Sequence, residues 1–216
     1  MQRRLGWLCF FGILIAVASP VESAVAPKPN IVLVTLDSVR ADRVGILGAR
    51  SRLTPNLDAL ARQAIIFERA YAQAPDTVAS TATILTGTYP QTHRASGFGG
   101  PLAASLPYLP DLLRAAGYRT AAVAGSILVD PYEGPFQGYD RGFNDYVAGF
   151  HLPQEGQGRY QSVALRGDQV IARAIAWLTK AKGRSFFLWL NLPDAGTPGA
   201  SYDRAVAASD LSLGRL

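Results

Sequence analysis

Residues 29–45 read PNIVLVTLDSVRADRVG, and the first half of this stretch decides the fold class. The run IVLVTL, from Ile31 to Leu36, carries no charged residue and is expected of a parallel strand that is buried on both faces. Asp37 follows it directly, and open α/β sheets bind their ligands at the carboxyl ends of their strands. The stretch therefore predicts a buried strand that ends at a functional carboxylate, with a loop cap as the alternative role for Asp37.

Strands and helices alternate over the residues that follow. The apolar spacing predicts helices over residues 54–64, 77–85, 105–116, 168–178 and 203–216, and strands over residues 65–71, 118–124 and 185–190. Residues 125–158 are rich in glycine, proline and aromatic residues without periodicity, which predicts a long irregular excursion near the carboxyl edge of the sheet. We therefore expect an α/β fold, a three-layer α/β/α sandwich with a mainly parallel sheet.

The N-terminus has the pattern of a secretory signal. Arg3 and Arg4 precede an apolar run over residues 5–18, which is shorter than the roughly 20 residues of a membrane span, and small residues follow up to Ala24. We expect a signal peptide over residues 1–24 and a domain over residues 27–216, with an uncleaved membrane anchor as the alternative. The expected location is periplasmic or secreted.

Composition and charge narrow the function classes. The single cysteine, Cys9, lies in the predicted signal, which excludes disulfides and cysteine–metal chemistry from the mature chain. The formal net charge is +5, but the basic residues are scattered, so we expect no nucleic-acid partner. A mild positive field suits a small anionic substrate, and it suits solubility equally well.

Three ordered motifs identify a resemblance. They are residues 29–45, residues 54–77 (TPNLDALARQAIIFERAYAQAPDT) and residues 84–94 (ILTGTYPQTHR). Together they resemble the N-terminal part of the sulfatase family, within the alkaline phosphatase superfamily. The resemblance implies an alkaline phosphatase-like fold that is C-terminally incomplete. It also implies a hydrolase that cleaves a sulfate or phosphate-type ester with a divalent metal.

The resemblance implies roles for four residues. Asp37 takes the place of the family's metal-binding aspartate, with Ca, Mg, Mn and Zn as the candidate ions. Thr77 takes the place of the nucleophile, and a hydroxyl at a helix N-terminus is helped by the dipole and by free backbone N–H groups. A simple N-cap is the alternative role for Thr77. Arg94 and His93 are assigned to substrate binding, with a structural role as the alternative for His93.

Several positions depart from the family's pattern. Sulfatases carry C-x-P-x-R or S-x-P-x-R where residues 77–81 read TVAST, so the resemblance implies a threonine-nucleophile type rather than a formylglycine type. Ser38 replaces a second aspartate, and Asp76 stands where relatives often have an aromatic residue. Asn191 replaces a histidine, and residues 125–127 (GSI) replace a segment that carries lysine and histidine.

The family's S-D-H-G strand, which carries further metal ligands, does not occur among the 216 residues. A divalent site usually needs at least three protein ligands. Two expectations therefore stand side by side. One is a threonine-nucleophile hydrolase, and the other is a truncated or degenerate homologue without catalytic turnover.

Overall fold

In the residues that the structure describes, the sheet contains four parallel strands. The computed structural model describes residues 28–97, 100–131, 136–148, 165–196 and 201–216. The strands are β1 (Ile31–Leu36), β2 (Arg119–Ala124), β3 (Asp145–Ala148) and β4 (Phe186–Leu192), and they lie in the order β1-β4-β2-β3. All three neighbouring pairs are parallel, so the carboxyl ends of the strands meet at one edge of the sheet.

Helices connect and cover these strands. Those in the described residues are α1 (Pro55–Ala61), α2 (Thr77–Thr86), α3 (Pro90–His93), α4 (Leu109–Ala115), α5 (Gly167–Lys180) and α6 (Tyr202–Leu213). Short 3-10 turns cover Ala41–Arg43, Gly45–Leu47, Ile127–Val129 and Asp194–Gly196. The predicted helices are confirmed, although α4 begins four residues later than predicted, with Pro110 in its first turn.

Two apolar cores lie on opposite faces of the sheet. On one face, Trp189 of β4 packs in a cluster with Val78 and Leu85 of α2. On the other face, Leu188 of β4 packs in a cluster with Ile171 of α5. Alternate side chains of a strand point to opposite faces, so a strand buried on both faces needs apolar residues throughout. The predicted three-layer α/β/α sandwich is confirmed.

The predicted strand over residues 65–71 is wrong. This segment is irregular, and the Ile65 and Phe67 side chains are 85% and 77% exposed. Its β-branched and aromatic residues have the composition of a strand, but it pairs with no strand in the part of the chain that the structure describes. Strand propensity reflects how well a side chain packs in a sheet, so the composition alone does not produce a strand.

The prediction of an irregular excursion over residues 125–158 is wrong at β3. This short strand pairs with β2, and Arg119 of β2 forms an ion pair with Asp145 of β3 at 3.0 Å. Phe143, just before β3, stacks on Phe187 of the sheet with ring centroids 6.0 Å apart. Tertiary pairing and aromatic packing, rather than local periodicity, therefore stabilise this strand.

The predicted signal peptide over residues 1–24 lies outside the described residues. Among the helices that the structure describes, none combines the length and the apolar character that crossing a membrane requires. The choice between a cleaved signal and an anchor therefore stays a prediction.

A buried carboxylate joins α6 to the first turn of α1. Asp210, which is 1% exposed, accepts hydrogen bonds from the backbone N–H of Asn56 and Leu57 at 3.0 and 2.8 Å. It also accepts one from the Asn56 side chain at 2.8 Å. Thr54 occupies the predicted N-cap position, but its hydroxyl accepts the Gly45 amide instead. Asp210 thus satisfies N–H groups that the helix leaves without partners.

We expect Asp210→Ala to destabilise the fold by roughly 3 kcal/mol, because it leaves two part-buried backbone donors, those of Asn56 and Leu57, without an acceptor. Asp203→Ala is the matched control on the same helix. Its side chain is 48% exposed and pairs with Arg43, so this change should cost less than about 1 kcal/mol. Urea unfolding followed by circular dichroism measures both. Equal midpoints for the two variants would contradict the role of Asp210.

Candidate active site

A cavity of about 290 Å³ opens at the carboxyl end of β1. The loop after β1, the start of α2 and the end of β4 contribute its walls, as expected for an open α/β sheet. Its polar lining consists of Thr35, Asp37, Ser38, Asp76, Thr77, Ser80, Thr81 and Asn191. No lysine, arginine or histidine of the described residues lines it. The cavity is therefore acidic and rich in hydroxyl groups.

Asp37 and Thr77 meet in this cavity although 40 positions separate them in the sequence. The Thr77 hydroxyl donates to the two carboxylate oxygens of Asp37 at 2.9 and 3.0 Å. The Asp37 backbone N–H donates to the carbonyl of Leu192 at 2.9 Å, which continues the β1–β4 pairing by one residue. The two residues that the sequence singles out as metal ligand and nucleophile are thus in direct contact.

Burial raises the pKa of the Asp37 carboxyl above its ordinary value of 3.8. Hydrogen bonds from Thr77 and Ser38 act in the opposite direction and are outweighed. A partly buried carboxylate loses hydration that stabilises its charge, so its protonated form is favoured. The same environment makes Asp37 a stronger proton acceptor than a solvated aspartate.

Asp76, rather than Thr77, is the N-cap of α2. The Asp76 carboxylate accepts the Ala79 backbone N–H at 2.9 Å, and Thr77 is the first helical residue. The alternative role of Thr77 as a cap is therefore wrong, since its hydroxyl donates to Asp37. The backbone N–H groups of Thr77 and Val78 belong to the first turn and have no acceptor within the helix. Only Thr77 of the two lines the cavity, so its N–H lies where a helix can hold an anion.

The start of α2 is held in place from the far side by Tyr139. Its hydroxyl donates to the backbone carbonyl of Val78 at 2.9 Å, and its side chain is fully buried. Burial raises the pKa of Tyr139, and the nearby Asp76 charge raises it further, so the phenol keeps its proton. The sequence motif GYDRGF at residues 138–143 contains this tyrosine, but its spacing gives no indication of the contact.

Ser38 and Tyr202 shape the loop after β1. Ser38 has a φ of 60°, a left-handed conformation that costs a non-glycine residue about 1 kcal/mol. The Tyr202 hydroxyl donates to the Ser38 carbonyl at 2.9 Å and accepts the Arg40 backbone N–H at 2.8 Å. These two bonds from α6 hold the turn that directly follows Asp37.

Asn191 links three strand ends beside the Asp37–Thr77 pair. Its side-chain oxygen accepts the Ser126 backbone N–H at 3.0 Å, and its side-chain nitrogen donates to the Thr35 hydroxyl at 3.2 Å. Sequence reasoning treated Asn191 only as a missing histidine. Its position at the end of β4, next to the end of β1, is the signal that indicates a site residue.

Gly125 directly follows β2, and the atoms around it leave no space for a side chain. A Cβ atom there would lie 2.5 Å from a Pro193 side-chain carbon and 2.8 Å from the backbone oxygens of Asn191 and Leu165. The basic residue that the resemblance leads one to expect near this strand therefore has no equivalent at this position.

The structure does not bring His93 or Arg94 into the cavity. His93 is 3% exposed, its Nδ1 accepts the Ala95 backbone N–H at 3.1 Å, and its Nε2 lies 3.0 Å from the Thr83 hydroxyl. Because Nδ1 accepts, the neutral ring carries its proton on Nε2 and donates it to Thr83. Burial lowers the pKa of His93, so the neutral form is favoured. These contacts support the structural alternative for His93.

Arg94 ends α3 with a φ of 57°, and its side chain is exposed. A substrate-binding role for Arg94 stays a prediction. The described residues contain no cluster of three or more His, Cys, Asp or Glu side chains that could hold a metal ion. The Asp37 carboxylate and its hydroxyl neighbours are nevertheless oxygen donors, the type that Ca and Mg prefer.

The sequence is similar to those of known proteins. The family model described as Sulfatase matches residues 29–212. An arylsulfatase of Clostridium perfringens is 44% identical over 71 residues, which cover 33% of this chain and 15% of the relative. The N-acetylgalactosamine-6-sulfatase of Mus musculus is 33% identical over 125 residues, covering 51% and 24%.

The fold is also similar to that of a solved structure. A protein of the alkaline phosphatase superfamily from Vibrio parahaemolyticus superposes with a TM-score of 0.64 at 23% identity, covering 87% of this chain and 49% of that protein. The chain therefore spans about half the length of this structural relative and less of the two curated ones.

The raised pKa of Asp37 predicts a pH dependence. Folding favours protonated Asp37, so the penalty for ionising it is absent below about pH 3.8 and complete above the folded-state pKa. We expect Asp37→Asn to unfold at higher urea concentration than the wild type at pH 7, in buffer with a metal chelator. The difference should shrink as the pH falls towards 3.8.

Asp42→Asn is the control, because the pKa of Asp42 is shifted in the opposite direction to that of Asp37. The hydrogen bond from Arg40 lowers the pKa of Asp42, so its carboxylate contributes stability that is lost as the pH falls. This variant should be slightly less stable than the wild type at pH 7, with a small effect because the side chain is exposed. A pH-independent difference for Asp37→Asn would contradict the burial of its charge.

Proposed function

Because the chain belongs to the sulfatase family, we propose that it carries the nucleophile, Thr77, and one metal ligand, Asp37, of a hydrolase for sulfate or phosphate-type esters. The observation that carries this proposal is the hydrogen bond from the Thr77 hydroxyl to both oxygens of Asp37. A nucleophile within hydrogen-bond reach of a base is the arrangement that activates a hydroxyl. The place of the pair at the carboxyl edge of a parallel sheet supports the same role.

In the proposed reaction, Thr77 Oγ1 attacks the sulfur or phosphorus atom of the ester. The bond from Oγ1 to that atom forms, the bond to the alcohol oxygen breaks, and the hydroxyl proton passes to Asp37. The proton held by Asp37 passes to the departing alcohol oxygen. Water then attacks the sulfur or phosphorus atom of the threonine ester, the bond from Oγ1 to that atom breaks, one water proton returns to Oγ1 through Asp37, and the sulfate or phosphorus-type anion is released. The Thr77 backbone N–H at the start of α2 stabilises the charge that develops on the oxygens.

The charge of the cavity makes a cation necessary for this role. Asp37 and Asp76 both line the cavity, and no described basic side chain does, so an anionic substrate alone would be repelled. One oxygen of Asp37 would hold the metal, with the Thr77 hydroxyl and the Asp76 carboxylate as further oxygen donors, and the other Asp37 oxygen would accept the Thr77 proton. A divalent ion supplies positive charge and lowers the pKa of a bound hydroxyl. An oxygen-only donor set favours Ca or Mg over Zn.

The substrate class is proposed from the relatives. Both curated relatives described above are named as sulfatases, which makes sulfate esters the first substrates to test. The identity of residue 77 separates this chain from the C-x-P-x-R and S-x-P-x-R patterns of sulfatases. Phosphodiesters and phosphonate monoesters therefore belong in the same assay, since a threonine hydroxyl suits either central atom.

We expect Thr77→Ala in the full-length protein to lower kcat by at least about 1,000-fold, because the nucleophile is removed. Thr77→Ser should keep measurable turnover, since it retains the hydroxyl. The assay presents aryl sulfate, phosphodiester and phosphonate substrates with Mg, Mn, Ca and Zn in turn. Asp37→Asn should raise the metal concentration needed for half-maximal rate.

Thr179→Ala is the matched control, because this threonine is exposed on α5. Its turnover should equal that of the wild type. Unchanged turnover in Thr77→Ala would exclude the proposed nucleophile. No turnover with any substrate and metal would instead support a homologue without catalytic activity.

A further inference from the structure

A second polar cavity, of about 340 Å³, lies at the opposite edge of the sheet from the candidate active site. Its lining includes Arg119, the first residue of β2, and Asp145, the first residue of β3. Arg184, two residues before β4, and Arg114, in the last turn of α4, complete its charged lining. These residues lie at the amino ends of the strands, whereas the candidate active site lies at the carboxyl ends. The two cavities are therefore separate.

This second cavity is basic, whereas the candidate active site is acidic. Three arginines and one aspartate line it, so positive charge is in excess. The Lys28 ammonium lies beside it, 5.9 Å from the centre of the Tyr118 ring, which is itself part of the lining. A concave site lined mainly by one sign of charge raises the local concentration of oppositely charged ligands. The cavity therefore favours an anion.

Arg119 is held in place by two neighbours. Its guanidinium donates to the Asp145 carboxylate at 3.0 Å and lies over the Trp177 ring, 5.1 Å from the ring centre. The Trp177 indole N–H donates to the same Asp145 oxygen at 2.8 Å. The hydrogen bonds from Trp177 and Arg119 lower the pKa of Asp145, so the carboxylate stays charged. A guanidinium has five N–H donors, so Arg119 keeps donors for a ligand while its position is fixed.

The other two arginines are available to a ligand. Backbone N–H groups of residues 116–118 already bond to carbonyls in the last turn of α4, so the Arg114 side chain is not needed as a cap. Arg114 lies 3.7 Å from Asp111, which is longer than a hydrogen bond, and Arg141 pairs with the same aspartate at 2.7 Å. Arg184 is exposed and forms no ion pair with a described residue. Both side chains can therefore bind an anion without breaking a close ion pair.

The donors of this cavity fit a tetrahedral oxyanion better than a carboxylate. The Asn144 side-chain oxygen accepts the Thr120 backbone N–H at 3.0 Å, so its amide nitrogen is the group that can donate to a ligand. Three guanidinium groups and this amide offer more N–H donors than the two oxygens of a carboxylate can accept. A sulfate or phosphate group presents three or four oxygens, and arginine binds such groups through paired N–H···O bonds.

We propose that this basic cavity binds a tetrahedral oxyanion, either as free sulfate or phosphate or as the same group carried by a sugar ester. Arg119 provides the fixed donor, and Arg114 and Arg184 provide the excess positive charge. The cavity volume lies within the range of about 300–1,000 Å³ that is typical of small-molecule sites, so it has room for more than the anionic group. This inference is independent of the proposed catalysis.

The test is a titration of the full chain with sodium sulfate and, separately, with glucose 6-sulfate, followed by NMR of the backbone amides. The ionic strength is held constant with sodium chloride, so that a general salt effect produces no shift. A metal chelator leaves the acidic cavity without a cation that could hold an anion there. We expect saturable shifts at the amides of Arg119, Asn144, Asp145 and Arg184.

The two probes distinguish the sources of the oxyanion. If free sulfate binds as tightly as glucose 6-sulfate, the site recognises the oxyanion alone. If glucose 6-sulfate binds at least about 10-fold more tightly, the site also contacts the sugar, and the ligand is an ester.

Arg184→Gln removes one charge from an exposed side chain and should weaken binding of the tighter probe about 10-fold, because charge-assisted hydrogen bonds are lost. Arg184→Lys keeps the charge but loses the paired N–H geometry, so its affinity should lie between those of the wild type and Arg184→Gln. Arg173→Gln is the matched control, since Arg173 is exposed on α5 and does not line the cavity. It should bind the probe as the wild type does. The urea unfolding midpoint of each variant reports folding.

Three results would overturn the proposal. They are the absence of saturable shifts with both probes, an equal loss of affinity in Arg184→Gln and Arg173→Gln, and shifts confined to the residues around Asp37 and Thr77. None of these readouts depends on turnover. A failure of this proposal therefore leaves the one for Thr77 unaffected, and an inactive protein can still bind the anion at this second cavity.

Discussion

The parallel ladder between β1 and β4 is the constraint on which the site depends. It runs from Ile31 opposite Phe187 to Leu36 opposite Leu192, and the Asp37 N–H extends it by one further bond. That bond fixes the backbone of Asp37 beside the first residue of α2, Thr77. The Thr77 hydroxyl then reaches both carboxylate oxygens. A slip of the register by one residue would move Asp37 away from Thr77 and exchange the side chains that β1 presents to the two faces of the sheet.

Elements with a strong local pattern could be predicted from the sequence, and those that depend on a distant partner could not. β1 was predicted residue for residue from its apolar run, but the expectation that it is buried on both faces is wrong, because it is an edge strand in the described sheet and Val32 is 43% exposed. The segment that contains Ile65 and Phe67 has a similar composition, yet it has no strand partner among the described residues and is exposed. β3 lacks periodicity and forms because Arg119, Phe143 and Phe187 hold it in place.

In the candidate site, too, some residues could be predicted from the sequence and others could not. Asp37 and Thr77 could be assigned from their places at a strand end and a helix start, combined with the family resemblance, and the structure joins them. The functions of Asp76, Tyr139 and Asn191 required the three-dimensional arrangement, since each bonds to backbone or side-chain groups that no sequence spacing specifies. The family resemblance assigned His93 to substrate binding, with a structural role as the alternative. In the fold, both of its ring nitrogens are engaged by Thr83 and Ala95.

Gly125 limits where this site can carry a positive charge. Any side chain there would collide with Pro193 and with the backbone of Asn191 and Leu165, which belong to two separate segments. A basic side chain could therefore stand at position 125 only if both segments moved. A positive charge at this edge of the sheet has to come from another position or from a metal ion.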